Sequence, residues 1–219
     1  MIGHVSTTGV QDVKVPAADL PTLPRRRLSK QRSLTVDRLT AAAVDELHAV
    51  GYAALTVRTV AARSGVAPAT AYNYFSCKEH LIAEVFWRRI SAQKEAAEVR
   101  RGAAAQRATE VLADFALVVS NETELAAACT VALLVDNPEV HELRLKIGRL
   151  LHARLVAALA GPDDGAAAPP AAVRTLEFVV SGALIEVGTG HLPYDQLRNQ
   201  LAEATTVILG DPVNLDNTP

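Results

Sequence analysis

The chain has 219 residues, with 22 basic and 24 acidic side chains for a formal net charge of −2, and 49% of its residues are apolar although only nine are aromatic. Apolar bulk carried by Ala, Leu and Val, without an excess of Gly or Pro, favours an all-α fold and excludes collagen-like, disordered and disulfide-rich classes. Apolar runs such as 126–135 fall short of the roughly 20 residues that span a bilayer, and 1–24 lacks the basic-then-apolar order of a secretion signal, so the expected location is the cytoplasm.

Residues 1–24 include Pro16, Pro21 and Pro24 and show no sustained period, which predicts a flexible N-terminal arm. A basic run follows, Arg25, Arg26, Arg27, Lys30 and Arg32, and is expected as an arm ahead of the first helix. That helix is read from Thr35, with Val36, Leu39, Ala43, Leu47 and Val50 at steps of three and four and Gly51 as its C-cap. Residues 57–64 form the second helix, Gly65-Val66 a turn, Pro68 opens a short third helix, and Lys78 opens a fourth that buries Leu81, Ile82, Val85, Phe86 and Ile90. Five more helices follow, centred on Val111 to Val119, Leu125 to Leu133, Leu143 to Leu155, Val173 to Val187 and Leu197 to Ile208. No strand pattern or internal repeat is present. The domains read as the arm 1–24, a helix-turn-helix unit with its basic arm over 25–78, a helical body over 79–210 and a C-terminal tail over 211–219.

Charge is divided between these parts. Residues 25–90 carry 11 basic and 5 acidic side chains, whereas 91–219 carry 10 and 17. A basic module on an acidic body fits a unit that meets a polyanion, because phosphate binding by Lys and Arg releases counterions. In the module, Val60 and Ala61 can pack inward, Gly65 supplies the positive φ of a tight interhelical turn, and Val66 plugs the corner. Pro68 suits a first helical turn, where its missing N–H costs nothing. Ala71 and Phe75, four apart, face the core and leave Ala69, Thr70, Asn73 and Tyr74 on other faces, with Tyr72 on a flank.

These residues resemble the tetracycline-repressor (TetR) family of bacterial transcription regulators. The resemblance rests on Thr56, Val60, Ala61, Gly65, Val66, Tyr72, Tyr74, Phe75, Lys78, Glu79 and Leu81, and covers about 34–90; the remainder is similar only in being helical and of suitable length. Ala67 departs from the Ser that often caps the third helix, which costs about 0.5–2 kcal/mol, and Cys77 holds a turn position usually given to a polar residue. The resemblance implies that Thr70, Tyr72 and Tyr74 contact DNA, that Lys78 grips a phosphate and that Arg58 contributes from the helix before. The chemistry of the side chains agrees: hydroxyls and cations bind phosphate oxygens, Arg58 alternatively reads a guanine edge, and Asn73 is suited to adenine. Core packing is the competing role for Tyr72 and Tyr74, a solvated surface that for Arg58, Lys78 and the basic run. Arg88 and Arg89 read as surface residues.

The body reads as a dimerising sensor. One short recognition helix offers few base contacts, so a homodimer on a pseudo-palindromic double-stranded operator is expected. Val180, Ala183, Leu184, Val187, Leu197, Leu201, Ala204 and Ile208 are the candidate dimer interface, with completion of the monomer core as the alternative. A small-molecule inducer is implied by the family. Phe115, Phe178 and Tyr194 are the only aromatics after residue 90, which favours an aliphatic or acyl-like ligand over a large planar one. Phe115, Cys129, Leu133, Leu151 and Phe178 are the candidate lining, with ordinary core as their competing role.

An enzyme finds little support. His141-Glu142 is followed by Leu145 where a zinc-protease helix needs its second histidine, and Gly188-Thr189-Gly190 lacks the preceding strand of a dinucleotide site. Asn121-Glu122-Thr123 matches a glycosylation acceptor by chance. Cys77 and Cys129 have no metal-ligand spacing and are expected as free thiols; no metal or cofactor is implied. A ligand carrier without operator binding is the alternative from another class.

Overall fold

The structure is a computed structural model that describes residues 25–93, 102–160 and 168–210, with side chains from Gln31 onward. The expected arm 1–24 and tail 211–219 lie outside the described residues. Within them the chain forms nine α-helices and no strand: α1 Arg25–Ala54, α2 Val57–Ser64, α3 Pro68–Tyr72, α4 Lys78–Ala92, α5 Ala104–Ala116, α6 Thr123–Leu134, α7 Pro138–Ala160, α8 Pro170–Gly188 and α9 Tyr194–Leu209. A 3₁₀ turn over Leu117–Val119 joins α5 to α6. No single described helix is long and apolar enough to cross a membrane.

The first helix begins ten residues earlier than its apolar period predicts. No Gly or Pro intervenes between Pro24 and Gly51, and Arg, Leu, Lys and Gln all sustain a helix. Periodicity detects only the part that touches a core, which starts at Val36. The backbone of Arg25 to Lys30 therefore belongs to the opening turns of α1, and the separate arm expected for the basic run is corrected to a helical extension; the side chain of Arg32 is exposed. Gly51 acts as the stop that the sequence implies, at φ 75° and ψ 165°, and only a last turn to Ala54 follows it.

The next three helices form from local signals. Thr56 caps α2 by accepting from the Thr59 N–H at 3.0 Å, while the Thr59 hydroxyl accepts from the Thr56 N–H at 3.2 Å, so two otherwise unpaired donors are satisfied reciprocally. Gly65 ends α2 in the left-handed region at φ 65°. Pro68 starts α3, and Ala67 gives it no side-chain cap. Cys77 caps α4 with its sulfur, which accepts from the His80 N–H at 3.4 Å. A weakly accepting thiol can thus hold the position that polar residues usually fill.

Leu39, Leu47, Leu55, Val60, Ala61, Ala71, Leu81 and Ile82 are fully buried, and α1 to α4 close around them. Removing each Leu or Ile side chain from water contributes about 1.5–3 kcal/mol, an upper figure because denatured chains already bury some surface. Helix α4 continues out of this module and packs on α6 and α7; α5 lies between α7 and α9, and α8 packs on α9, α6 and α7. One apolar core runs through both parts. The helix-turn-helix module and the body thus share α4 as a common beam.

Candidate nucleic-acid interface

The short helix α3 is held by its inner face. Ala71 and Phe75 are buried, and the Phe75 N–H returns to the Ala71 carbonyl at 2.9 Å. The outer face presents Ala69, Thr70 and Asn73, all exposed, and Tyr72, whose surface is 51% accessible. Arg58 is exposed on α2. Tyr74 is half-buried and packs against the core, so its ring shares the structural role that competed with DNA contact.

Lys78 is placed differently from a free phosphate ligand. Its ammonium donates to the Tyr52 carbonyl at 2.8 Å and lies 4.3 Å from the centre of the Tyr52 ring. The Tyr52 hydroxyl donates to Glu79 Oε1 at 3.3 Å, and burial together with that carboxylate pushes the phenol pKa well up, so Tyr52 stays neutral. Lys78 and Glu79 thereby pin the α1–α2 corner to the start of α4. Sequence reading missed Tyr52, although an aromatic directly after the Gly51 stop was a signal.

Two further ties set the angle of α2. Glu46, buried on α1, accepts from Arg63 Nε at 2.5 Å, and Arg38 donates to the Ser64 carbonyl at 2.5 Å. Arg88 and Arg89, read as surface residues from sequence, are engaged instead. Arg88 bridges Asp37 on α1 and Glu84 on its own helix, and Arg89 pairs with Glu122 at the start of α6. The two pairs joining different helices lie far apart in sequence, beyond the reach of spacing arguments.

His80 lies in the first turn of α4, against Phe75 and within reach of the charges of Glu139 and Lys146 on α7. Its ring meets Phe75 edge-on at 5.1 Å, and Nδ1 is buried without a hydrogen-bond partner. Burial lowers its pKa from the ordinary 6.5, against the pull of Glu139 and Glu84 and with help from Lys146. The folded protein binds this proton less readily than the unfolded chain, so the stability is present above the ordinary value and is lost as pH falls below it. The urea midpoint should therefore drop between pH 7 and 5.5, and His80→Gln should flatten that part of the profile; parallel wild-type and variant profiles would refute it.

The expected ligand lining divides. Phe115, Cys129 and Leu151 are buried and Leu133 is half-buried in the body. Phe115 packs edge-on against Phe86 of α4 at 5.9 Å. Burial pushes the Cys129 thiol up to about 12, so it stays protonated and unreactive. Phe178 is corrected: it is 70% exposed on the outside of α8. It lies two residues from both Leu176 and Val180, about 200° around the helix from the buried side.

The expected dimer stripe divides as well. Val180, Leu197 and Leu201 are fully buried and Val187 nearly so, while Ala183, Leu184, Ala204 and Ile208 are half-buried and pack on the core. The four buried residues join α8 and α9 to their own body, and the four half-buried ones keep part of their surface accessible. The outward face carries Phe178, Ile185 at 42% and Val207 at 81% exposure. Gly182 lies between the first two, with nothing within 4 Å of where a Cβ would stand. Among the described residues no three His, Cys, Asp or Glu side chains gather as a metal site.

Comparison with known proteins decides the family. The sequence profile of bacterial regulatory proteins of the tetR family matches residues 39–85. An uncharacterized HTH-type transcriptional regulator of Mycobacterium tuberculosis H37Rv is 38% identical over 205 residues, covering 93% of this chain and 91% of its own. The chain belongs to the TetR family of transcriptional regulators. Its fold matches that of a TetR transcriptional regulator from Rhodococcus sp. RHA1 with a TM-score of 0.68 at 22% identity, covering 85% of this chain and all of the other. It also matches FadR from Bacillus subtilis in complex with stearoyl-CoA, with a TM-score of 0.59 at 21% identity over 80% of this chain and 98% of the other. In this TetR-family regulator the matched segment is the module closed around Leu39 to Val85, with α3 as its outward helix.

Proposed function

We propose that this regulator is a cytoplasmic repressor that binds a pseudo-palindromic DNA operator as a homodimer and leaves it when an acyl-chain ligand occupies the body. The observation that carries the reading is the outer face of α3, where Thr70, Tyr72 and Asn73 stand exposed beside Arg58 of α2. A groove-entering helix needs such a face, with hydroxyls and a cation to fix its register on phosphates and an amide to read a base edge. Two polar side chains on a five-residue helix and a third at its C-cap are too few to select one genomic site alone, which supports two copies on two half-sites. The exposed apolar face of α8 and α9 gives the second copy a place to pack.

The acyl class is supported by the aromatic-poor body and by the stearoyl-CoA bound to the similarly folded Bacillus FadR. Release requires the ligand to favour the DNA-incompetent conformation by more than it favours the competent one. Arg89, on the helix shared by both parts, pairs with Glu122 at the start of α6, which supports a coupling between the body and the module.

The test is selection of genomic fragments by the purified protein, followed by fluorescence anisotropy on the selected palindrome and a scrambled copy at two salt concentrations, with and without stearoyl-CoA. Preference for the palindrome by about 10³-fold is expected, and stearoyl-CoA should abolish it. Arg58→Ala should weaken both duplexes and reduce the salt slope by about 1, whereas Asn73→Ala should change sequence preference more than overall affinity. Equal binding to both duplexes would overturn the operator reading, and indifference to stearoyl-CoA the acyl assignment.

A further inference from the structure

Helix α6 begins at Thr123 with Glu122 as its N-cap residue, yet that carboxylate makes no capping hydrogen bond. The carboxylate is instead engaged by side chains of two other helices. Both terminal nitrogens of Arg89 donate to it, Nη1 to Oε1 and Nη2 to Oε2, the latter at 3.0 Å. His48 Nε2 lies 3.7 Å from the same Oε2 and adds a second cation whenever its imidazole is protonated. Glu122 and Arg89 each retain 28% side-chain exposure, so the pair is partly withdrawn from water and less screened than an exposed one. The Arg89 hydrogen bonds hold the Glu122 carboxyl below the usual carboxylate range, against the effect of its burial. A bidentate pair of this kind fixes orientation as well as distance.

The three side chains come from three helices. His48 lies three residues before the Gly51 break that ends the regular part of α1, Arg89 lies in the last turn of α4, and Glu122 opens α6. The far end of α4 is also gripped by the body: Arg154 of α7 donates to the Ile90 carbonyl at 2.9 Å and to Gln93 Oε1 at 3.1 Å, while Gln93 Nε2 donates to the Asp114 carbonyl of α5 at 2.7 Å. These contacts hold α4 alone. Glu122 is placed to hold α1 as well, and with it the module that carries α3.

We propose that Glu122 is a positioning residue, one carboxylate that ties α6 to both α1 and α4 and so sets the orientation of the DNA-facing module on the body. In a dimer that orientation determines the distance between the two α3 helices and hence the half-site spacing the protein accepts. The inference rests on the operator reading for its consequence and on the Glu122 contacts for its cause.

The experiment uses the full-length protein, the selected operator, and the same operator with one base pair inserted between its half-sites. Wild type should bind the native spacing much more tightly than the lengthened one. Glu122→Gln should lose about tenfold on the native operator, within the usual range of coupling between sites, and its preference between the two spacings should collapse while scrambled DNA is bound as before. The reversed pair Arg89→Glu with Glu122→Arg should restore part of the preference. Unchanged spacing preference in Glu122→Gln would overturn the proposal, as would a lowered melting temperature with spacing preference intact, which would mark a purely structural pair. Hydrogen exchange on the DNA-free proteins gives an independent decision: faster exchange of the amides of 44–50 in Glu122→Gln, with 57–75 unchanged, is expected, and equal exchange there would overturn the claim. Failure of wild type to prefer any palindrome would instead overturn the operator reading, leaving the exchange result to decide the role of Glu122.

Discussion

Phe178→Glu is expected to leave a folded monomer that binds its operator at least a hundredfold more weakly. The ring is 70% exposed on one chain and lies on the face of α8 opposite Leu176 and Val180, so the monomer core does not depend on it. Across a two-fold axis every substitution is made twice, and each buried aromatic at the centre of an interface contributes about 2 kcal/mol or more. Two carboxylates placed in that apolar contact add desolvation and mutual repulsion. The loss therefore amounts to about 4 kcal/mol before the charge is counted, or roughly a thousandfold in dimer affinity. Sedimentation should show a monomer at micromolar concentration, circular dichroism should show unchanged helicity, and operator binding should become steeply dependent on protein concentration. A dimer that survives Phe178→Glu unchanged would refute the assigned face. Leu197→Ala gives the opposite pattern, because that side chain is fully buried within one chain and its removal costs folding first.

The contrast between those two residues explains what could be read in advance. The helix-turn-helix was legible because its determinants act over a few residues: the Thr56 and Thr59 exchange, the left-handed Gly65, Pro68 at the start of α3, and Ala71 with Phe75 on its inner side. In α8 the sequence holds two stripes. Val173, Leu176, Val180 and Val187 make one, and Phe178, Gly182 and Ile185, at steps of four and three, make the other. Periodicity identifies both, but only packing tells which of them the chain itself covers. The onset of α1 was misplaced for a related reason, since a solvated helical extension has no apolar period to detect. Ion pairs divide in the same way. Glu84 and Arg88, four apart on one helix, are visible in the sequence, whereas Asp37 with Arg88 and Glu122 with Arg89 exist only once α1, α4 and α6 have been brought together.

Gly188→Ala carries the second large effect, because α6 and α8 meet at that residue with no room for a methyl group. A Cβ there would stand 2.0 Å from Thr130 Oγ1, 2.6 Å from Thr130 Cβ and 2.8 Å from Thr130 Cγ2. Rotating the threonine moves its two branches but leaves Cβ in place, and it breaks the hydrogen bond that Oγ1 donates to the Ala126 carbonyl at 3.1 Å. The helices must separate instead. Such overpacking costs about 1–3 kcal/mol, which outweighs the gain of roughly 1 kcal/mol from replacing glycine by alanine in a helix. The urea midpoint should fall with the denaturant slope unchanged, and Thr130→Gly should recover part of the loss, so that the two substitutions together cost less than their sum. Additive losses, or a variant more stable than wild type, would show that the two helices are not in limiting contact. Thr130 lies two turns along α6 from Glu122, so a displacement forced at Gly188 also moves the carboxylate that holds Arg89 and approaches His48. Operator affinity should then fall by more than the loss of folded protein accounts for, and the spacing preference should relax in the same direction as in Glu122→Gln.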